Sequence, residues 1–173
     1  MAPGLRKLAL TAHVASSVGL LGAVAAFLAL SVAGLTTQDA QTVRAAYLAM
    51  GLTAWFVIVP LSFAALLTGL VMSLGTTWGL FRHYWVLVKF LLTVVTIIVL
   101  LLQMDGISYI AGVAAEMTLG PADLVGLRQS IRTHAAGGLV VLLLTTILSV
   151  FKPRGMTRYG WRKQYEERAP AQP

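Results

Sequence analysis

Apolar residues along this chain fall in four long runs separated by short polar breaks. The first extends from about Leu8 to Leu35 and the second from about Val43 to Leu74. The third extends from about Tyr84 to Met104 and the fourth from about Ile131 to Phe151. A helix needs roughly 20 residues to cross a hydrocarbon core of about 30 Å, and each run is long enough. In lipid every backbone N–H and C=O must find a partner within the segment, so the runs are predicted helices. The pattern gives an all-α polytopic membrane protein. A bundle of four transmembrane helices occupies residues 1–152, and a basic tail follows over residues 153–173.

The breaks and irregularities add detail. The second run is too long for one straight crossing and is expected to tilt or to protrude. Pro60, near its middle, removes a backbone donor and predicts a kink. Beyond the third run, Ile107, Ile110, Ala114 and Met117 recur at helical spacing and predict an interfacial helix. Gly120-Pro121 then reads as a stop followed by a restart, with Pro121 suited to a first helical turn. Ala15, Gly19 and Ala23 form a stripe of small residues at a spacing of four, and Ala12 with Ser16 forms a second. Such stripes let helix backbones approach closely, within the bundle or between copies. The N-terminal run follows Arg6 and Lys7 and contains Ser31-Val32-Ala33, which has the look of a cleavage site. It exceeds a signal-peptide core of roughly 7–15 residues, so it reads as a retained helix. The segment 169–173 reads as disordered.

Composition narrows the function classes. Apolar residues make up 58% of the 173 and charged residues only 11%, against roughly 25% in soluble proteins. With no cysteine, disulfides, thiolate-held zinc, iron–sulfur clusters and CxxC redox pairs are excluded. The net charge of +7 is unevenly placed. The termini and the break between the second and third runs share one side, with ten basic and two acidic residues once Lys89 is counted, a net +8. The other side has Arg44, Arg128 and Arg132 against four acidic residues, a net −1. The positive-inside rule then places both termini in the cytoplasm, with a bacterial plasma membrane expected, and the use of arginine nine times against lysine four times fits a high-GC genome. The basic skirt faces anionic lipid, so no nucleic-acid partner is expected. Trp78, Tyr84 and Trp85, with Tyr159, Trp161 and Tyr165, suit the same interface. Trp55, roughly 28 Å up the second helix from Leu74, suits the opposite one.

No acidic residue lies within a run, which removes carboxylate proton relays from mid-membrane. Three histidines and one lysine remain. His13 lies roughly 9 Å past Lys7 along the first helix. It reads either as a packed histidine or as a ligand for haem iron or a metal. Lys89 sits at a similar depth from the same side. It reads either as a snorkelling side chain or as a desolvated amine that partners an anion such as a haem propionate. His134 begins the fourth run, near the opposite side, beside the small residues from Ala135 to Gly138. His83 follows Arg82 at the basic interface, where the pair could meet an acidic head group or a propionate. There is no HxxxH pair and no phosphate loop, nucleophile elbow or zincin motif.

Three stretches, Leu10-Thr-Ala-His-Val14, Gly75-Thr-Thr-Trp-Gly-Leu-Phe-Arg-His-Tyr-Trp-Val-Leu-Val-Lys89 and Lys152-Pro-Arg-Gly-Met-Thr-Arg-Tyr-Gly160, resemble a family of bacterial four-helix integral membrane proteins of unknown function. The early histidine, and the tryptophan followed four residues later by a lysine, are also similar to two further groups. These are the membrane protoporphyrinogen-oxidase type and the copper-resistance D type. The first likeness implies haem b binding, with His13 and Lys89 at the matching positions and Trp85 before the lysine. The sequence favours a non-enzymatic membrane subunit or scaffold, either a homo-oligomer or bound to another membrane protein. One alternative is a haem-b or metal-binding protein of electron transfer or haem handling, with His13, Lys89, His134, His83 and Arg82 as candidates. A small solute or metal-ion transporter is the further alternative.

Overall fold

The computed structural model describes residues 2–75, 79–116, 123–153 and 155–168. Trp78, Met117, Gly120, Pro121, Arg154 and the segment 169–173 lie outside the described residues. Helix α1 spans Pro3–Thr36, α2 Ala40–Thr53, α3 Val59–Gly75, α4 Tyr84–Glu116, α5 Val125–Phe151 and α6 Arg158–Arg168. No strand is present among the described residues. Four helices are long and apolar enough to cross a membrane: α1, the joined α2–α3 rod, α4 and α5.

Local chemistry sets the helix ends. Pro3 occupies the first turn of α1, where its missing N–H costs nothing. Asp39 caps α2, its carboxylate accepting from the Thr42 backbone N–H at 2.9 Å and from the Thr42 hydroxyl at 2.5 Å. Those bonds hold the Asp39 carboxyl below its usual pKa. A π-helical turn, Ala54–Ile58, joins α2 to α3, with the Val59 N–H reaching back five residues to the Ala54 carbonyl. Pro60 follows directly and offers no N–H to the Phe56 carbonyl. The expected irregularity at Pro60 therefore takes the form of a widened turn just before it. At the end of α5, Lys152 adopts a left-handed backbone and its N–H closes onto Leu148, with Pro153 barring continuation.

The helices run past the ends that the apolar runs indicated. Helix α4 continues unbroken to Glu116, where a separate interfacial helix was expected after Met104. The reason lies in packing: Met104, Ile107, Ile110 and Ala114 form one continuous buried stripe along α4, which lies against α2. Helix α5 likewise begins at Val125 and carries Arg128 and Arg132 as helical residues. At 33–36 residues, α1-length rods reach about 50 Å and exceed a hydrocarbon core of about 30 Å.

Helix α1 packs against α2, α3 and α5, while α4 packs against α2, α3 and α5. The tightest core gathers Val43, Tyr47, Met50, Ile110 and Ile131, each at most 1% exposed. It sits at the Asp39 end of the bundle. Beyond Ile131, α5 buries no residue fully. Large apolar side chains instead point outward, with Phe56, Leu102 and Phe151 about three-quarters exposed (75%, 74% and 77%). Apolar surface on this scale needs a lipid solvent. Of the small-residue stripe, Ala23 packs against the core and Gly19 faces Leu61 of α3, so this stripe serves contact within the bundle.

Candidate functional site

Four constellations hold the chain's polar chemistry. The first lies at the end bearing α6. His13 on α1 faces α3, where its Nδ1 lies 3.1 Å from the Thr68 hydroxyl. That hydroxyl donates its own hydrogen to the Ala64 carbonyl at 2.6 Å. It therefore accepts from His13, which puts the imidazole proton on Nδ1 and leaves the lone pair on Nε2. The ring fits because Gly69 has no side chain: a Cβ there would stand 3.1 Å from His13 Cε1. Lys89 on α4 donates to the Ser149 hydroxyl of α5 and lies 5.8 Å from the centre of the Trp85 ring. His13 and Lys89 thus lie toward the same end of the bundle, each bonded to a different helix.

The second constellation is the α3–α4 turn with α6. Arg82 forms an ion pair with Glu167 of α6. The turn and the tail are also joined through their backbones. Tyr84 N–H donates to Gly155 at 3.3 Å, and Thr157 N–H donates to Arg82 at 3.0 Å. His83 pairs with Met156 through the backbone, and its ring lies 6.4 Å from that of Trp85. Arg82 therefore holds the tail, and its hydrogen bond, helped by its positive charge, keeps the Glu167 carboxyl below its ordinary pKa. On α6, Trp161 and Tyr165 stay exposed, one helical turn apart, beside Arg162 and Lys163.

The third constellation was not legible as a site in the sequence. Arg128 is 1% exposed and joins three helices at the Asp39 end. Its Nε donates to the Tyr47 hydroxyl of α2 at 2.7 Å, and another nitrogen donates to the Gly34 carbonyl of α1. A third bond reaches the Asp123 carbonyl at 3.3 Å. The guanidinium carbon also stands 5.2 Å from the Tyr47 ring centre. Gly34 lies in the last turn of α1, where carbonyls lack intrahelical partners and favour a cation. Arg44 does the same for α4, donating to the Ala115 carbonyl at 2.8 Å. A signal did exist: Leu124, Leu127 and Ile131 recur at helical spacing and place Arg128 one turn into a helix.

The fourth is a cavity of about 320 Å³ between α1, α3, α4 and α5. Its walls are mostly apolar; the hydroxyls of Ser62, Thr96 and Thr133 also line it but donate to carbonyls of their own helices, and at the rim Gln103 of α4 meets His134 of α5. His134 Nδ1 lies 2.8 Å from the Ser130 carbonyl and 3.0 Å from the Gln103 side-chain amide. None of His13, Lys89, Arg82 and His83 lines this cavity. The five sequence-named candidates thus divide between two ends: four gather toward α6, and His134 stands apart. Among the described residues no group of three or more His, Cys, Asp or Glu side chains could hold a metal ion.

Comparison with protein-family models, curated proteins and solved structures finds no match.

Proposed function

We propose that this chain is a non-enzymatic subunit or scaffold of a bacterial plasma membrane, with both termini cytoplasmic. One observation carries the reading: His13, Lys89 and Arg128 each make a side-chain hydrogen bond to a neighbouring helix. A polar group within the membrane is expensive, and an interhelical bond is one reason to keep it. The orientation rests on the charge asymmetry, net +8 against −1, across the bundle. The α3–α4 turn and α6 then form a cytoplasmic platform whose aromatic and basic side chains suit anionic lipid. The exposed apolar side chains of α1, such as Leu8, Val14 and Val18, leave a surface for a second copy or for a membrane partner.

A double-mutant cycle tests the reading. His13→Ala and Thr68→Val should each destabilise the bundle, with a coupling of about 0.6–1.7 kcal/mol between them, as for other membrane hydrogen bonds. Strict additivity would remove the main support for a structural role.

A haem-b site is the second reading, and the His13 geometry favours it. A ligating histidine characteristically binds one ring nitrogen to a neighbour and offers the other to the metal. His13 has Nδ1 so engaged, and the Lys89 cation toward the same end of the bundle suits a propionate. Its signature is a Soret band that disappears in His13→Ala.

A further inference from the structure

The cavity between α4 and α5 is separate from the polar contacts described above at the α6 end. Its opening is lateral: Val95 of α4 lines it and is 57% exposed, and His134 on the facing helix is also exposed. In a membrane-embedded bundle such an opening admits molecules dissolved in the bilayer. The floor on α5 is formed by Gly137 and Gly138, and a Cβ built on either would meet nothing within 4 Å. The slot is therefore flat on one side and empty in front. The facing wall on α4 is built from branched side chains such as Val95, Ile97 and Val99. No Lys, Arg, Asp or Glu lines the cavity. A phosphate head group or a free ion has no counter-charge there.

The polar rim has a specific character. The Ser130 carbonyl can only accept, so the proton of neutral His134 rests on Nδ1 and Nε2 keeps its lone pair. With the proton there, the Gln103 amide of the opposite helix turns its carbonyl oxygen to Nδ1–H and keeps its NH2 group free to donate. The rim thus offers one uncharged acceptor and one uncharged donor, at the mouth of an apolar slot. At about 320 Å³ the slot falls at the lower end of the range for small-molecule sites, roughly 300–1,000 Å³.

We infer that this cavity binds the ring of a neutral, lipid-soluble quinone or quinol. The ring lies against Gly137 and Gly138, and its tail leaves between α4 and α5 into lipid. The Gln103 amide donates to a ring carbonyl, and His134 Nε2 accepts from a ring hydroxyl in the quinol form. A saturated acyl chain would fill the slot but leave both rim groups without a partner.

The test is equilibrium dialysis of the detergent-purified chain against ubiquinone-1, with mono-oleoyl glycerol as competitor. The wild-type chain should take up quinone saturably. Gly138→Leu, which fills the slot, should abolish uptake. Gln103→Leu should weaken uptake of ubiquinone-1, and His134→Ala uptake of its reduced form ubiquinol-1, each roughly 3- to 10-fold, the effect of one lost hydrogen bond. Gly22→Leu, at an equally open position away from the slot, should change nothing. Should Gly138→Leu fail to fold, the two rim variants decide. Non-saturable uptake, or unchanged affinity in both rim variants, overturns the inference. Displacement by mono-oleoyl glycerol as effective as by quinone itself would also overturn it, in favour of an acyl-chain site.

Discussion

Removal of the Arg128 guanidinium is the most informative single perturbation of this bundle. In Arg128→Ala the Tyr47 hydroxyl and the Gly34 carbonyl both lose a charged donor while staying within the core. Hydrogen bonds to a charged group contribute roughly 1.5–3 kcal/mol each, and Arg128 makes two such bonds to other helices. The contact between the guanidinium and the Tyr47 ring adds about 0.5–2 kcal/mol. Against this stands the cost of burying the cation, which Arg128→Ala relieves. Truncating one partner of a buried charged network typically costs about 3–5 kcal/mol, and that is the expected loss. Tyr47→Phe keeps the ring and deletes the acceptor, so its expected cost is about 1.5–3 kcal/mol. Because both variants break the same bond, their double mutant should fall short of the sum by at least about 1 kcal/mol. Arg128→Lys should lie between wild type and Arg128→Ala, since an ammonium cannot serve three directions with a fixed fork. Unfolding in mixed detergent micelles, followed by circular dichroism, measures each value. An Arg128→Ala cost below about 1 kcal/mol, or full additivity with Tyr47→Phe, would refute the view that this arginine ties α1, α2 and α5 together.

Other outcomes follow from the same packing. Gly51→Ala should destabilise by about 1–3 kcal/mol, because the new methyl would stand 2.8 Å from the Ala111 methyl where α2 crosses α4. Gly137→Ala meets open space and should be neutral or stabilising by up to about 1 kcal/mol; thermal melts of the pair check both. Docking of α6 should depend on acid. The Glu167 carboxyl is depressed by Arg82, so the contact is complete above the ordinary value of 4.5 and lost as pH falls below it. Limited proteolysis within the tail should accelerate over that range in the wild-type chain. Glu167→Gln should be cleaved readily at neutral pH, with little further change in acid.

The apolar runs carried the architecture because bilayer thickness leaves few solutions for a segment of that length. They were silent on where helices stop outside the bilayer. The Ile107, Ile110 and Ala114 periodicity was visible, but only packing against α2 shows that it continues α4. His13 and Lys89 stood out because ionisable groups at their depth are rare. Their partners, Thr68 and Ser149, lie 55 and 60 residues away, and their pairing depends on helix rotation and relative height. The same holds for Gln103 with His134, and for Trp55, whose indole donates to Ser108 at 3.0 Å. Arg128 was hidden for another reason. Assigned to a loop, a charged residue attracts no attention; one turn inside α5, it becomes the largest fully buried side chain among the described residues.

The absorption spectrum of the detergent-purified chain, produced with ample haem and recorded oxidised and then dithionite-reduced, tests the central claim most directly. If His13 and Lys89 serve to join helices, the spectrum shows no Soret band, and His13→Ala lowers the unfolding midpoint. A Soret band with sharp reduced α and β bands, lost in His13→Ala while the melting temperature holds, would contradict the structural account and make this a haem protein.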